Sequence, residues 1–383
     1  MCLSPGRNPS LKVFCVEISG NIRTLPNEII ERICAFLFTP PSTKSHDDTP
    51  VISHKPPWSD VSGFMNASPG LHAMGFAWWM RVLKVRGAED WELMARSPRL
   101  SHWVFELVCL DGAFIAKIPE LYILDRFNHL CALSIDAHRD LVHDDSSQFR
   151  YRNLITALPT SLRRLEILRA HGPDIGIIAA VQKYCPDLED LRLGRCTMFN
   201  QPACQFWKQF PNDHDSYFSN RGIEGYACTL ARELRPLRAL KHLKLGMYLM
   251  PADAVCAHRF YHTKNMPMPP RPSSPHIQQR SIAEPSPWSD EAQLVSLYNQ
   301  LPEKNFGPTT CEFCLSEFFQ ASRAAESRAN TILRALLPKL STIEWMDWFS
   351  DSHLGVSRYV EGVASTSACL SSKGAPSHSP GLE

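Results

Sequence analysis

Six short stretches of the chain repeat one arrangement of apolar and polar positions. Leu162, Leu165 and Ile167 in LRRLEI, Leu188, Leu191 and Leu193 in LEDLRL, and Leu240, Leu243 and Leu245 in LKHLKL all read apolar-x-x-apolar-x-apolar. Looser copies are Leu130, Leu133 and Ile135 in LCALSI, Leu340, Ile343 and Trp345 in LSTIEW, and Leu100, Trp103 and Phe105 in LSHWVF. The last two apolar positions of each unit flank a single residue, the alternation of a short strand with one buried face. Helical spacing precedes several of these strands, as in Ile175, Ile178, Ala179, Gln182 and Cys185, and again over Gly222 to Leu234 and Phe313 to Leu337. Pro186, Pro236 and Pro338 stop those helices, because proline lacks the N–H and its ring clashes with the preceding turn. Helix, proline, strand is the predicted unit.

The unit starts are separated by 30, 32, 26, 52 and 100 residues. The first three gaps resemble the period of leucine-rich repeats, about 20 to 29 residues; the fourth reads as two periods, and the fifth leaves room for degraded copies. One such unit leaves its apolar face bare, and stacking neighbours creates a continuous core. The expected fold class is α/β, with an irregular leucine-rich-repeat-like solenoid over residues 91–359. The alternative is an ordinary α/β domain whose leucines coincide.

Upstream, Thr24 to Phe38 (TLPNEIIERICAFLF) predicts a helix. Pro26 suits the first helical position and Glu28 the first turn, where the helix dipole favours a carboxylate. Ile29, Ile33, Phe36 and Leu37 form one stripe, and Ile30, Cys34 and Phe38 a second beside it. A helix apolar over so much of its circumference needs two covering surfaces, one from its own module and one from more chain or a partner.

These residues resemble the F-box motif, a helical module that binds an adaptor of the Skp family. Leu25, Pro26, Glu28, Ile29, Ile33, Phe36 and Leu37 match its opening segment; Asp60, Val61, Phe64, Met65, Ala67, Ser68 and Leu71 fill its second part; Trp78, Trp79, Val82 and Leu83 close it. The module would span 21–88, after an N-terminal extension over 1–20. Tyr184 to Cys196 (YCPDLEDLRLGRC) is similar to the cysteine-containing repeat of leucine-rich F-box proteins, and the loose spacing to F-box proteins of basidiomycete fungi. The resemblance implies a substrate-recognition subunit of a Skp, cullin and F-box type ubiquitin ligase. Its adaptor-binding residues would be Leu25, Pro26, Glu28, Ile29, Ile30, Ile33, Leu37, Val61 and Phe64, leaving open which of them face the adaptor and which the module core. By analogy with other solenoids, a protein substrate would meet the residues between the repeat leucines: His102, Val104, Ala132, Ser134, Arg164, Glu166, Asp190, Arg192, His242, Lys244, Thr342 and Glu344. Arg164, Glu166, Asp190, Arg192, His242 and Lys244 are its principal candidates. The competing reading is a leucine-rich interaction scaffold unconnected with ubiquitin, in which the Leu25 helix is the cap a solenoid requires.

Composition sharpens this picture. Among 383 residues, 44% are hydrophobic and 21% charged, enough for a substantial core. Glycine is low at 18 and proline high at 30, against about 27 and 19 in an average chain of this length. The excess proline gathers in Thr39 to Pro57 and Met266 to Pro287, which with Ser and charge read as disordered insertions, about 39–58 and 262–288. A Ser-rich tail over 360–383 reads the same way. Forty Lys and Arg against 39 Asp and Glu give a net charge of +1, too little for bulk nucleic-acid or anionic-membrane binding. Thirteen scattered cysteines lack the dense even spacing of a secreted disulfide framework. With no apolar run of membrane-spanning length, an intracellular protein of cytoplasm or nucleus is expected.

Catalytic chemistry finds little purchase. There is no Walker loop, GxGxxG, GxSxG or HExxH, so no catalytic residue and no cofactor are expected. Cys311 and Cys314 form a CxxC without a second pair, and so read as buried structural cysteines. His138 and His143 with Asp136, Asp140, Asp144 and Asp145 form an acidic cluster of metal-ligating residue types, for which a solvated loop after a strand is the preferred reading. Pro269, Pro270 and Pro272 beside Arg271 suggest an SH3-type ligand but default to linker. Cys185 and Cys196 read as buried repeat positions, and no metal site is expected.

Overall fold

A computed structural model describes residues 25–38, 55–114, 124, 126–143, 149–152, 155, 157–172, 174–197, 204–206, 222–250, 254, 257–258, 260–261, 267, 311–349 and 355–360. The expected extension, most of both insertions and the tail beyond 360 lie outside these residues, as do the proline-rich positions 269–272.

The first helices are α1 (Asn27–Phe38), α2 (Trp58–Asn66) and α3 (Pro69–Trp79). The Pro26 carbonyl accepts from the N–H groups of Ile29 and Ile30 and so opens α1. Ser68 caps α3, its hydroxyl accepting from the Leu71 N–H at 3.2 Å, with Pro69 at the first helical position. The insertion expected to reach residue 58 ends sooner: Pro56 is buried, and Trp58 begins α2 and lies edge-on to Trp79 at 5.1 Å.

Then follow β1 (Val82–Val85), α4 (Ala88–Arg96), a 3₁₀ turn (Pro98–Trp103), β2 (Glu106–Cys109), β3 (Ala132–Asp136), the hairpin β4 (Leu141–His143) and β5 (Phe149–Tyr151), and β6 (Arg164–Ala170). The chain continues with α5 (Asp174–Tyr184), β7 (Asp190–Arg195), α6 (Gly222–Leu234), β8 (His242–Leu245), α7 (Glu312–Leu336), β9 (Thr342–Asp347) and β10 (Gly355–Val360). An eight-stranded sheet runs β1-β2-β3-β6-β7-β8-β9-β10. Every pairing is parallel except β9 with β10, so strand order follows chain order throughout. The fold is mixed α/β, with a parallel sheet and helices.

Register explains the repeated leucines. Leu107, Leu133, Leu165, Leu191, Leu243 and Ile343 stand side by side across six strands, and Cys109, Ile135, Ile167, Leu193, Leu245 and Trp345 form the next row. None is more than 2% exposed. Trp91 and Met94 of α4, Ile178 and Val181 of α5, Ala231 and Leu234 of α6, and Ala329 and Leu333 of α7 cover them in one continuous core. Trp345 fits a leucine row because its indole N–H donates to the Asn330 side chain of α7 at 2.8 Å, satisfying the one polar atom it buries.

Three expectations need correction. The second strand is framed by Val104, Leu107 and Cys109, not by Leu100, Trp103 and Phe105, because LSHW closes a 3₁₀ turn before the strand begins. Val82 and Leu83, expected to close the helical module, belong to β1, which pairs with β2 from Val82 opposite Glu106. Among the described residues no strand stands between those that flank the long gaps: β7 bonds directly to β8, and β8 directly to β9. These spacings are long connections between neighbouring strands.

Candidate functional site

Helix α1 divides its two apolar stripes between two environments. Cys34 and Phe38 are buried with Val61 and Met65 of α2, and Ile30, Leu37, Phe64 and Met74 pack around them. Phe38 and Phe64 meet edge to face at 6.0 Å. The other stripe faces outward: Leu25 is 55% exposed, Ile29 39%, Ile33 37% and Phe36 80%. Pro26 and Glu28 are also exposed beside it. Of the residues expected to bind an adaptor, Leu25, Pro26, Glu28, Ile29 and Ile33 therefore lie on the free face. Ile30, Leu37 and Phe64 are half-buried within the module. Val61, at 1% exposure, is a core residue whose side chain reaches no partner. The helical period alone could not sort these residues, because both stripes are apolar and the packing of α2 and α3 decides which is covered.

Where the module meets the sheet, Phe76 lies edge-on to Trp103 at 6.0 Å. Lys55 Nζ sits 3.4 Å from the centre of the Trp79 ring. Burial, and after it the charge of Lys84, pushes the Lys55 ammonium down to about 8.

The sheet face opposite the helices carries the second group of candidates. One row holds Glu106, Ala132, Arg164, Asp190, His242 and Thr342; the next holds Val108, Ser134, Glu166, Arg192, Lys244 and Glu344. A shallow concavity of about 300 Å³ lies over Arg164, Glu166, Asp190, Arg192, His242, Lys244, Thr342 and Glu344. The structure thus brings all six principal candidates together. It also ties their charges to one another: Arg164 Nε lies 3.0 Å from Asp190, His242 3.7 Å from Asp190, and Lys244 3.5 Å from Glu344. Glu166 and Arg192 are 3% and 5% exposed, and Ala132 and Ser134 are equally covered. Val104, expected on this face, is at 0% exposure in the core, and His102 lies in the 3₁₀ turn off the strands. The expected mixed-sign face exists, but much of its charge is engaged in cross-strand pairs.

A third cluster joins residues that the sequence pattern keeps apart. His138 follows β3, His171 follows β6 and Cys196 follows β7, all at the C-terminal ends of adjacent parallel strands; Cys204 comes from the connection after β7. One donor atom from each of these four residues lies within 4.8 Å of the others. His171 Nε2 is 3.3 Å from Cys204 Sγ, and His171 Nδ1 is 2.7 Å from Asp140 Oδ1. Asp140 Oδ2 accepts from the N–H groups of His171 and Gly172 at 2.8 and 2.9 Å. A hydrogen bond with Cys196 and then one with His171 hold the Cys204 thiol down to about 4, against burial. Burial would lower His171, but its bonds to Asp140 and Cys204 raise it to about 9. Asp136 pairs with Arg169, whose φ of 56° marks the register shift in β6. Asp136 and Asp140 are thus buried and bonded rather than solvated, which corrects the loop reading; the His143 side chain lies outside the described residues. His171 and Cys204 had no motif to announce them, because their partners are remote in sequence and only the strand stacking makes them neighbours.

The CxxC also has company, since His258 Nδ1 lies 3.1 Å from Cys314 Sγ and groups with Cys311. That set offers three donors among the described residues. Burial keeps Cys109 above its ordinary range and pushes Cys185 up to about 12. The Cys185 thiol donates to the Pro159 carbonyl at 3.2 Å, a packing role. Among the described residues, no helix is long and apolar enough to cross a membrane.

Compared with family models, with curated proteins and with solved structures, the chain matches none.

Proposed function

We propose that this chain is a non-catalytic substrate-recognition subunit of a Skp, cullin and F-box type ubiquitin ligase, working within the cell. Helices α1 to α3 are its F-box-like module, and the strands from β1 onward are a degenerate leucine-rich-repeat solenoid. The adaptor takes the outward stripe of α1, and through it the chain joins a cullin. A protein substrate takes the open sheet face. The mechanism is proximity: holding substrate near a ubiquitin-charged enzyme raises effective concentration, and this chain supplies no reacting group.

One observation carries the reading. Leu25, Ile29, Ile33 and Phe36 form a row of large apolar side chains left open on a helix whose neighbouring stripe packs into its own module. Such a row on a small module marks an interaction surface, and it coincides with the residues that resemble the F-box opening. Replacing Ile29 and Ile33 with Asp should abolish co-purification of a Skp-family adaptor and cullin with the full chain, because buried interface anchors cost about 2 kcal/mol or more each when lost. Adaptor retained by the double variant would refute the assignment. A folded wild-type chain that captures no adaptor would favour a scaffold unconnected with ubiquitin.

A further inference from the structure

We propose that His138, His171, Cys196 and Cys204 bind one Zn²⁺ ion that ties together the ends of β3, β6 and β7. The inference stands apart from any role in ubiquitination and rests on the geometry of the strand ends.

Three of the four ligands are delivered by the sheet itself. Ala170 pairs with Arg195, so the next residues, His171 and Cys196, emerge side by side, and the Cys196 N–H bonds the Ala170 carbonyl at 3.0 Å. The Ala137 N–H bonds the Leu168 carbonyl at 2.8 Å, which brings His138 to the same end of the neighbouring strand. The β6 bulge re-aims the chain just before His171. Cys204 closes the set from the far side, with Phe206 against the His171 ring at 5.1 Å and Leu141 on the adjoining apolar wall.

Two imidazoles and two thiolates are the donor set that Zn²⁺ takes in closed tetrahedral sites. Bond lengths near 2.0 Å to nitrogen and 2.3 Å to sulfur give donor-to-donor edges of about 3.3 to 3.8 Å. The His171 to Cys204 separation of 3.3 Å already meets that edge, and the 4.8 Å bound on the whole set leaves about 1 Å of contraction on ion binding. The surroundings are those of a metal site as well. Asp140, 2% exposed, holds His171 Nδ1 and so turns Nε2 toward the cluster, the carboxylate support that zinc-bound histidines use. His138 Nδ1 is buried without a hydrogen-bond partner, a cost that ligation through that nitrogen removes. Four protein donors leave no open coordination position, so the ion acts as a structural clamp; on binding, whatever protons the ligating nitrogens and sulfurs still carry pass to solvent.

Elemental analysis of the purified full chain reads the site directly. A chain carrying Cys311→Ser with Cys314→Ser should retain one zinc, and adding Cys196→Ser with Cys204→Ser should remove it. Zinc that survives the added pair overturns the proposal. Because such substitutions can unfold a core, site-resolved alkylation of the unaltered chain is the deciding measurement. Zn²⁺ should slow labelling of Cys196 and Cys204 about tenfold relative to chelated protein, since a metal-held thiolate is a poor nucleophile, while exposed Cys228 labels equally in both. Equal labelling of Cys196 and Cys204 with and without Zn²⁺ sinks the site.

Discussion

In the sheet, Leu107, Leu133, Leu165, Leu191 and Leu243 stand in one row, and each is buried in a core made by helices and connecting segments of the same chain. In α1, Leu25, Ile29, Ile33 and Phe36 also stand in one row, and each stays more than a third exposed. The two rows have comparable hydrophobic content and opposite fates. A parallel strand leaves its apolar face to the crossover segment that the chain must supply to reach the next strand, a helix before β7, β8 and β9. Among the described residues α1 has two helical neighbours, and they leave its second stripe open. The helix-covered face of the sheet is thus closed by the chain's own connectivity, whereas that stripe of α1 is not closed by any described element.

Three substitutions test that contrast, and stability is read in each by urea unfolding. The largest effect should come from Leu165→Ala, in the centre of the covered row: about 3 kcal/mol or more of lost stability, from lost burial and an unfilled cavity. A loss below about 1 kcal/mol would mean that the sheet core is loosely packed.

A smaller effect is expected at Gly246. A Cβ there would stand 2.5 Å from the Arg195 backbone nitrogen and 2.9 Å from the Gly194 Cα. Gly194 and Gly246 follow the paired Leu193 and Leu245, so two chains approach closely as they leave the sheet. Gly246→Ala should cost about 1 to 3 kcal/mol through strain, with the midpoint shifted and the urea dependence unchanged. An unaltered midpoint would show that these strand ends have room to part.

The smallest effect should come from Ile33→Asp on the open row. Stability of the isolated chain should change by about 0.5 kcal/mol or less, as for surface substitutions generally. A loss near that of Leu165→Ala would show that the row is covered by this chain after all, and would dissolve the difference between the regions.

Much of the sheet was legible in the sequence. LRRLEI, LEDLRL and LKHLKL mark β6, β7 and β8, and Gly222 to Leu234 is a helix over that same span. Pro186, Pro236 and Pro338 fall just beyond α5, α6 and α7, because a proline signal is local and survives any tertiary context. The 3₁₀ turn before β2 is not legible, because LSHWVF satisfies the same apolar spacing as VFELVC a few residues later, and only the pairing of Leu107 with Leu133 chooses between them. The sequence does not separate β1 from the helical module, since a four-residue strand carries too little periodicity to distinguish it from a helix end.

The sequence by itself determined which residues are apolar, where helices stop and that one unit recurs, for these depend on side-chain chemistry and spacings of a few residues. Tertiary structure decided which α1 stripe is covered, which charges on the sheet face are already paired, and that His138, His171, Cys196 and Cys204 share one place. Each of those outcomes depends on contacts between residues tens of positions apart. Their distances are set by strand register, and register comes into being only when the sheet is assembled.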